Sequence, residues 1–337
     1  MRIGNGLRIE DSVIVVTGAS SGIGRATAVE LARRGARVVL VARREAALAE
    51  VARECAKQAR GGTDRVLVAP ADVSDAAAVE RVAERTVAEF GRIDGWVNNA
   101  GVTMFGRLVD VPLDDVRRVL DVNLMGQVHG ARAALPRMIA QGSGVLVNVS
   151  SILGVIAQPY GSAYTMSKFA VRGLSFSLRE ELHRSGVKGV AVSTVLPAAI
   201  DTPVYASAAN HSGRRISPPP PVYRPERVAA TIVAQLRRPR RQVVSGGLLG
   251  RLFVLQHTLA PRFTESLLAR EVDLTLRRSD PPVPATSGTL YEPAPGPAPV
   301  TGGWHGRRRE RLRTAALVLG AVGVTAGVGA RAGAARR

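Results

Sequence analysis

Cysteine is almost missing: Cys55 is the only one in 337 residues. This excludes a disulfide framework and any metal site built on several thiolates. The five histidines, His129, His183, His211, His257 and His305, are too scattered for metal-ligand spacing. Aromatic residues make up only 4% of the chain, and 27 acids face 46 bases, for a formal charge of +19. Lysine is scarce as well, with Lys57, Lys168 and Lys188 the only three. Arg2, Arg8, Glu10 and Asp11 interrupt the N-terminus, so it lacks the apolar core of a secretory signal. Apolar residues nevertheless reach 46%, too many for a wholly disordered chain.

The excess charge invites a nucleic-acid reading, but its distribution argues otherwise. Residues 1–204 hold 25 bases and 20 acids, whereas residues 205–261 hold 9 and 1, and residues 304–337 hold 8 and 1. No helix-turn-helix, zinc finger or other base-reading element accompanies these arginines, so nucleic acid is not expected as a partner.

Short apolar runs alternate with longer helical ones. Strands are expected at 13–17, 37–42, 66–69, 95–98, 145–149, 190–196 and 242–244. Helices are expected at 23–34, 45–58, 74–90, around 113–140, at 164–183 and at 225–236. Ser74 or Asp75 is placed to cap the third helix. The strands are continuously apolar, which suits a parallel sheet covered on both faces. The fold class is therefore α/β, a Rossmann-type doubly wound parallel sheet with helices on both faces. That domain is expected to span residues 1–247. Beyond it come a helical extension at 248–279, a Pro-rich linker at 280–303 read as disordered or extended, and a basic, apolar tail at 304–337.

Directly after the first strand stands Thr17-Gly18-Ala19-Ser20-Ser21-Gly22-Ile23-Gly24. A pyrophosphate must approach backbone N–H groups at a helix N-terminus here. Gly18 and Gly22 suit the turn and the close approach, and Gly24 suits tight packing of helix on strand. The pattern T-G-x3-G-x-G resembles the cofactor loop of the short-chain dehydrogenase/reductase family. The resemblance continues through Asp72-Val73, which matches the family's adenine-contacting Asp, and through Asn98-Asn99-Ala100-Gly101, which matches its N-N-A-G. It covers residues 12–245. The resemblance implies that Gly18, Ser20, Ser21, Gly22, Ile23, Gly24, Asp72, Val73, Asn99, Ala100, Gly101, Pro197, Ile200 and Thr202 form a nicotinamide cofactor site.

The second strand ends Val41-Ala42-Arg43-Arg44, and the first acid is Glu45. An acid about 20 residues past the glycines would bind a ribose 2′-hydroxyl, whereas arginine there accommodates a 2′-phosphate. NADP(H) is therefore expected in preference to NAD(H), with Arg43 as the main phosphate partner and Arg44 as the lesser one.

Tyr164 and Lys168 lie four residues apart on one expected helix and so share a face. A phenol near pKa ~10 is a poor acid–base catalyst at neutral pH, and a neighbouring ammonium lowers its pKa. With lysine at three positions in the chain, an accidental pair is improbable. Ser151 lies thirteen residues before Tyr164 at the end of a strand, where ligands bind in open α/β sheets. Ser150 is the alternative if the register is off by one. By resemblance, Asn123, Ser151, Tyr164 and Lys168 form the catalytic tetrad. Asn123 would hold a relay water and Ser151 would position the substrate oxygen. Tyr164 would carry the proton, and Lys168 would hold the nicotinamide ribose as well. A plain helix-interior role for Asn123 stays open.

One departure from the family pattern concerns pocket shape: Ala198 follows Pro197 where glycine is usual. The tail stretch 314–330 carries no charge between two arginine clusters. It is the candidate for a membrane anchor on an otherwise cytoplasmic protein, with a bare Ala/Gly tail as the alternative. Residues 248–260 read as an interfacial helix, or as one packing at the substrate site or a dimer contact. The expected function is NADP(H)-dependent hydride transfer on a small carbonyl or alcohol substrate by a homo-oligomer. The alternative is a cofactor-binding sensor or scaffold on the same fold.

Overall fold

A computed structural model describes residues 5–59, 65–277, 282–296 and 298–305. The chain begins β1 (Val13–Thr17), α1 (Gly22–Arg33), β2 (Arg37–Ala42), α2 (Glu45–Gln58), β3 (Val66–Pro70), α3 (Ala76–Phe90) and β4 (Gly95–Asn98). After β5 (Met104–Phe105) come α4 (Leu113–Leu120), a π-helical turn (Asp121–Met125) and α5 (Gly126–Gln141). Then follow β6 (Gly144–Val149), α6 (Ser162–Arg184), β7 (Val190–Pro197), β8 (Ala209–Asn210), α7 (Pro225–Arg237) and β9 (Gln242–Ser245). Two further helices, α8 (Gly247–Leu259) and α9 (Pro261–Arg277), follow.

Among the described residues the main sheet has seven parallel strands in the order β3-β2-β1-β4-β6-β7-β9. The order reverses between β1 and β4, which opens a crevice at the carboxyl ends of those strands. Alternate residues of each strand serve opposite layers, so the strands carry no polar face. Ile14, Val16, Val145 and Val147 pack against Leu31 of α1, Leu48 of α2 and Ile232 of α7. Val15 and Leu146 face the other way, with Val82 of α3, Met138 of α5 and Leu182 of α6. The strand ends agree with the sequence expectation to within one residue.

The long helical stretch expected around 113–140 is divided. Asn123 lies in the π-helical turn between α4 and α5, and Pro136 sits within α5, where it withholds a backbone N–H. Asp75, not Ser74, caps α3: its carboxylate accepts the Ala78 N–H at 3.1 Å, while the Ser74 hydroxyl turns to Asp72. The two-residue strands β5 and β8 pair in parallel and tie the segment after β4 to the loop before α7. Both are too short to leave a sequence signal.

The Pro-rich stretch is not a linker leading away from the domain. It runs back over the sheet, pairs Thr286 with Asn210, and buries Leu290 in the core. No helix among the described residues is long and apolar enough to cross a membrane. The anchor expected at 314–330 lies outside the described residues. On α8, Leu248, Leu252, Leu255 and Leu259 recur at helical spacing and stay exposed.

Leu146 is fully buried in the middle of the sheet. Leu146→Ala should lower stability in urea unfolding by about 2–5 kcal/mol, while Leu248→Ser on the exposed stripe should change it by less than about 0.5 kcal/mol. Equal effects would contradict this assignment of the core.

Candidate active site

The cleft is built from loops at the carboxyl ends of β1, β2, β4, β6 and β7, and encloses about 320 Å³. The β1–α1 loop brings Gly18, Ser20, Ser21, Gly22 and Ile23 to its wall. Gly18 and Gly22 have φ of 66° and 54°, left-handed backbone that glycine adopts without strain. A Cβ on Gly18 would come within 2.9 Å of the Ala100 Cα. Gly24 stands behind the wall, and a Cβ there would overlap the Gly18 carbonyl oxygen. These glycines leave backbone accessible at the N-terminus of α1, as a phosphate-bearing ligand requires. The Gly22 N–H indeed donates to an acceptor there, the Pro299 carbonyl at 3.1 Å.

Asn99, Ala100 and Gly101 line the cleft beside this loop and are fastened to it. The Thr17 hydroxyl accepts the N–H groups of Asn99 and Ala100 at 2.9 and 3.1 Å, and the Asn99 amide donates to the Thr17 carbonyl at 2.9 Å. The side chain of Asn99 is thus a latch between loops. Asp72 and Val73 line the far end. The Asp72 carboxylate accepts the N–H and hydroxyl of Ser74 and pairs with Arg118 at 2.6 Å. Burial acts against its charge, but these donors hold it below the usual carboxylate range.

At the other end, Ser151 comes from the end of β6, and Tyr164 and Lys168 come from one face of α6. The Ser151 and Tyr164 side chains are hydrogen-bonded to each other. The Lys168 ammonium donates to the Val149 carbonyl at 3.1 Å and lies 5.5 Å from the centre of the Tyr164 ring. Ser150, the alternative, turns away and donates to the Lys168 carbonyl at 2.7 Å. Pro197, Ile200 and Thr202 close this end.

Residues 12–212 match the model of a family described as short chain dehydrogenase. The chain belongs to the short-chain dehydrogenase/reductase family. It is 36% identical over 287 residues to the uncharacterized oxidoreductase YxnA of Bacillus subtilis, covering 85% of this chain and 79% of that one. That similarity is long enough to run through α8 and α9 wherever it begins. An alcohol dehydrogenase from the archaeon Thermococcus sibiricus, solved with 5-hydroxy-NADP, superposes with a TM-score of 0.61 at 29% identity, covering 70% of this chain and 96% of that one. A short chain dehydrogenase/reductase from Burkholderia phymatum in complex with NAD gives 0.66 at 26%, covering 82% and 99%. The chain is thus a member of an oxidoreductase family whose solved relatives include complexes with either nicotinamide dinucleotide.

Within this family member, the electrostatics of the Tyr164–Lys168 pair depart from expectation. Burial raises the Tyr164 phenol despite its bond to Ser151, and burial lowers Lys168 to about 8. Enclosure pushes both groups towards their neutral forms. The side chain of Asn123 is committed to neighbouring groups of the fold. Its amide group bonds Val102 in both directions, at 2.8 and 2.9 Å, and donates to the Ser167 hydroxyl at 3.1 Å. Its side chain therefore positions the loop carrying Gly101. Ala198 raises no difficulty: it is not among the residues with positive φ, and its methyl group lies against Gly246 and Gly250 at the start of α8.

Sequence reasoning missed three features. Arg118 bridges Asp72 and the Leu290 carbonyl, and nothing in the sequence marks it. Tyr205 lines the cleft, and burial together with the neighbouring Tyr164 raises its phenol. The third is the Pro-rich stretch itself, which contributes Thr289, Pro293, Ala294, Ala298 and Pro299 to the wall.

Below pH about 8 the folded chain carries a buried ammonium at Lys168, and above about 10.5 neither folded nor unfolded chain does. The wild type should therefore gain stability relative to Lys168→Met as pH rises through that window, by roughly 3 kcal/mol in full. Urea titrations at a series of pH values measure this. A difference that stays constant with pH would overturn the burial argument.

Proposed function

We propose that this chain is an NADP(H)-dependent oxidoreductase that interconverts a carbonyl and a secondary alcohol, with Tyr164 as the proton carrier. The observation that carries this reading is the meeting of Ser151, Tyr164 and Lys168 at one end of the cleft whose other end is the glycine cradle. A pure binding protein has no need of such an acid–base set. Bound nicotinamide would supply the hydride chemistry. The Tyr164 hydroxyl passes a proton to or from the substrate oxygen, and Ser151 holds that oxygen by hydrogen bonding. Lys168, anchored on Val149, faces the ribose position. Gly18, Ser20, Ser21, Gly22 and Ile23 hold the pyrophosphate, and Asp72 and Val73 border the adenine.

The preference for the 2′-phosphorylated cofactor rests on the rim of β2. Arg43 and Arg44 line the cleft there. Glu45 is the first residue of α2, beyond the strand end where a ribose-binding acid would stand. Arg43 is half-buried, and burial lowers its pKa, a setting in which a dianionic phosphate gains more than in open water. A homo-oligomer is supported by the exposed Met166, Phe169 and Phe176 on α6.

Tyr164→Phe should reduce turnover by about 10²-fold or more while NADPH binding, followed by fluorescence, stays within about threefold. Retained turnover would remove Tyr164 from its role. Arg43→Ala should lower the ratio of NADPH to NADH affinity by about tenfold or more. Tighter binding of NADH than NADPH by the wild type would overturn the cofactor preference.

A further inference from the structure

Resting on the cofactor reading above, we infer that residues 286–296 and 298–305 are a built-in competitor for the cofactor. They form a strap whose main-chain carbonyls sit on the donors that the dinucleotide phosphates must reach. Arg43 donates to the carbonyls of Thr289, Leu290 and Tyr291, at 2.8, 3.2 and 2.5 Å. Arg44 donates to those of Ala294 and Gly296 at 2.7 and 3.0 Å. Arg25, on the first turn of α1, donates to the Ala298 carbonyl at 2.9 Å, and the Gly22 N–H takes Pro299. The 2′-phosphate rim and the pyrophosphate cradle are thus both capped by one segment.

The segment is chemically suited to this place. Every cradle group it covers is a donor, and Pro293, Pro295 and Pro299 add no N–H that would need an acceptor there. Proline also restricts the free segment, so docking forfeits less chain entropy. Both ends are fastened outside the cradle. Upstream, Thr286 exchanges backbone bonds with Asn210, and the Thr289 N–H donates to Ser207. Downstream, the Asp201 carboxylate accepts the N–H groups of Gly302 and Trp304 at 3.0 and 2.8 Å, and the Trp304 ring meets Tyr205 edge-on. A strap held at two ends keeps its carbonyls at high effective concentration over the donors. A dinucleotide must lift the strap, its Thr289 and Gly302 fastenings included, before its phosphates reach them. Its apparent affinity falls by the fraction of molecules in which the strap is open.

Two glycines allow the strap to be loosened without substituting any residue of the cradle. A Cβ on Gly288, at φ 51°, would run into the Ala208 backbone, and one on Gly302 would overlap the Thr202 carbonyl. Titration calorimetry of the full chain, Gly288→Val and Gly302→Val with NADPH and with 2′,5′-ADP should show both variants binding about tenfold tighter than wild type. Hydrogen exchange on the wild type should show the Thr289 and Gly302 amides becoming less protected as NADPH saturates the site. Unchanged affinities in both variants would overturn the competitor, as would amides that NADPH protects further, which is the behaviour of a lid over bound cofactor. In either of those cases the cofactor reading survives. Failure of all three proteins to bind NADPH overturns both.

Discussion

The architecture of the cleft depends on the hydroxyl of one threonine. Thr17 ends β1, donates to the Val97 carbonyl at 3.2 Å, and accepts the N–H groups of Asn99 and Ala100. β1 and β4 are neighbours in the sheet, but their chains must leave in different directions, because the strand order reverses between them. Splayed loop backbones at such a point carry N–H groups that neither strand pairing nor helix formation satisfies. The threonine hydroxyl satisfies them, the Asn99 amide satisfies the Thr17 carbonyl, and the two draw the loops together. Gly18 and Gly24 are glycines partly because of this approach, since a Cβ on either would meet Asn99 or its neighbour. The cradle therefore exists before any ligand arrives.

The shortage of acids noted in the sequence has a structural counterpart. With few carboxylates to pair with, arginines turn to main-chain carbonyls. Arg172 donates to Gly154 at 2.6 Å and Arg179 to Val192 at 3.2 Å. The planar guanidinium, with five donors, suits this use better than a lysine ammonium. Carbonyls bring less charge than carboxylates, so such arginines remain receptive to an anion. The strap across Arg43 and Arg44 belongs to this wider pattern.

Much of the fold was legible because the strands are buried on both faces and read as unbroken β-branched runs. The sites at strand ends were legible for a related reason. Gly18, Tyr164 and Lys168 must hold fixed residue types at fixed spacing, and such spacing survives in sequence. What stayed hidden is non-local. The burial that drives Tyr164 and Lys168 towards neutrality comes from several elements at once. The commitment of Asn123 to Val102 depends on a π-helical turn without a compositional mark. The Pro-rich segment has the composition of a linker. Its docking on arginines some 250 residues earlier is carried by backbone carbonyls, and these have no signature in the order of side chains.

The contact of Ala198 with Gly246 and Gly250 links the cleft to the C-terminal extension. The methyl group fills the space that two hydrogen side chains leave at the start of α8. α8 and the loop after β7 therefore share a packing contact. A Cβ added at residue 246 would come within 2.7 Å of the Ala198 methyl and press on it, and hence on the floor beside Pro197. Pocket shape in this chain can then drift through changes in a helix that touches no substrate, while the residues around Tyr164 stay as they are.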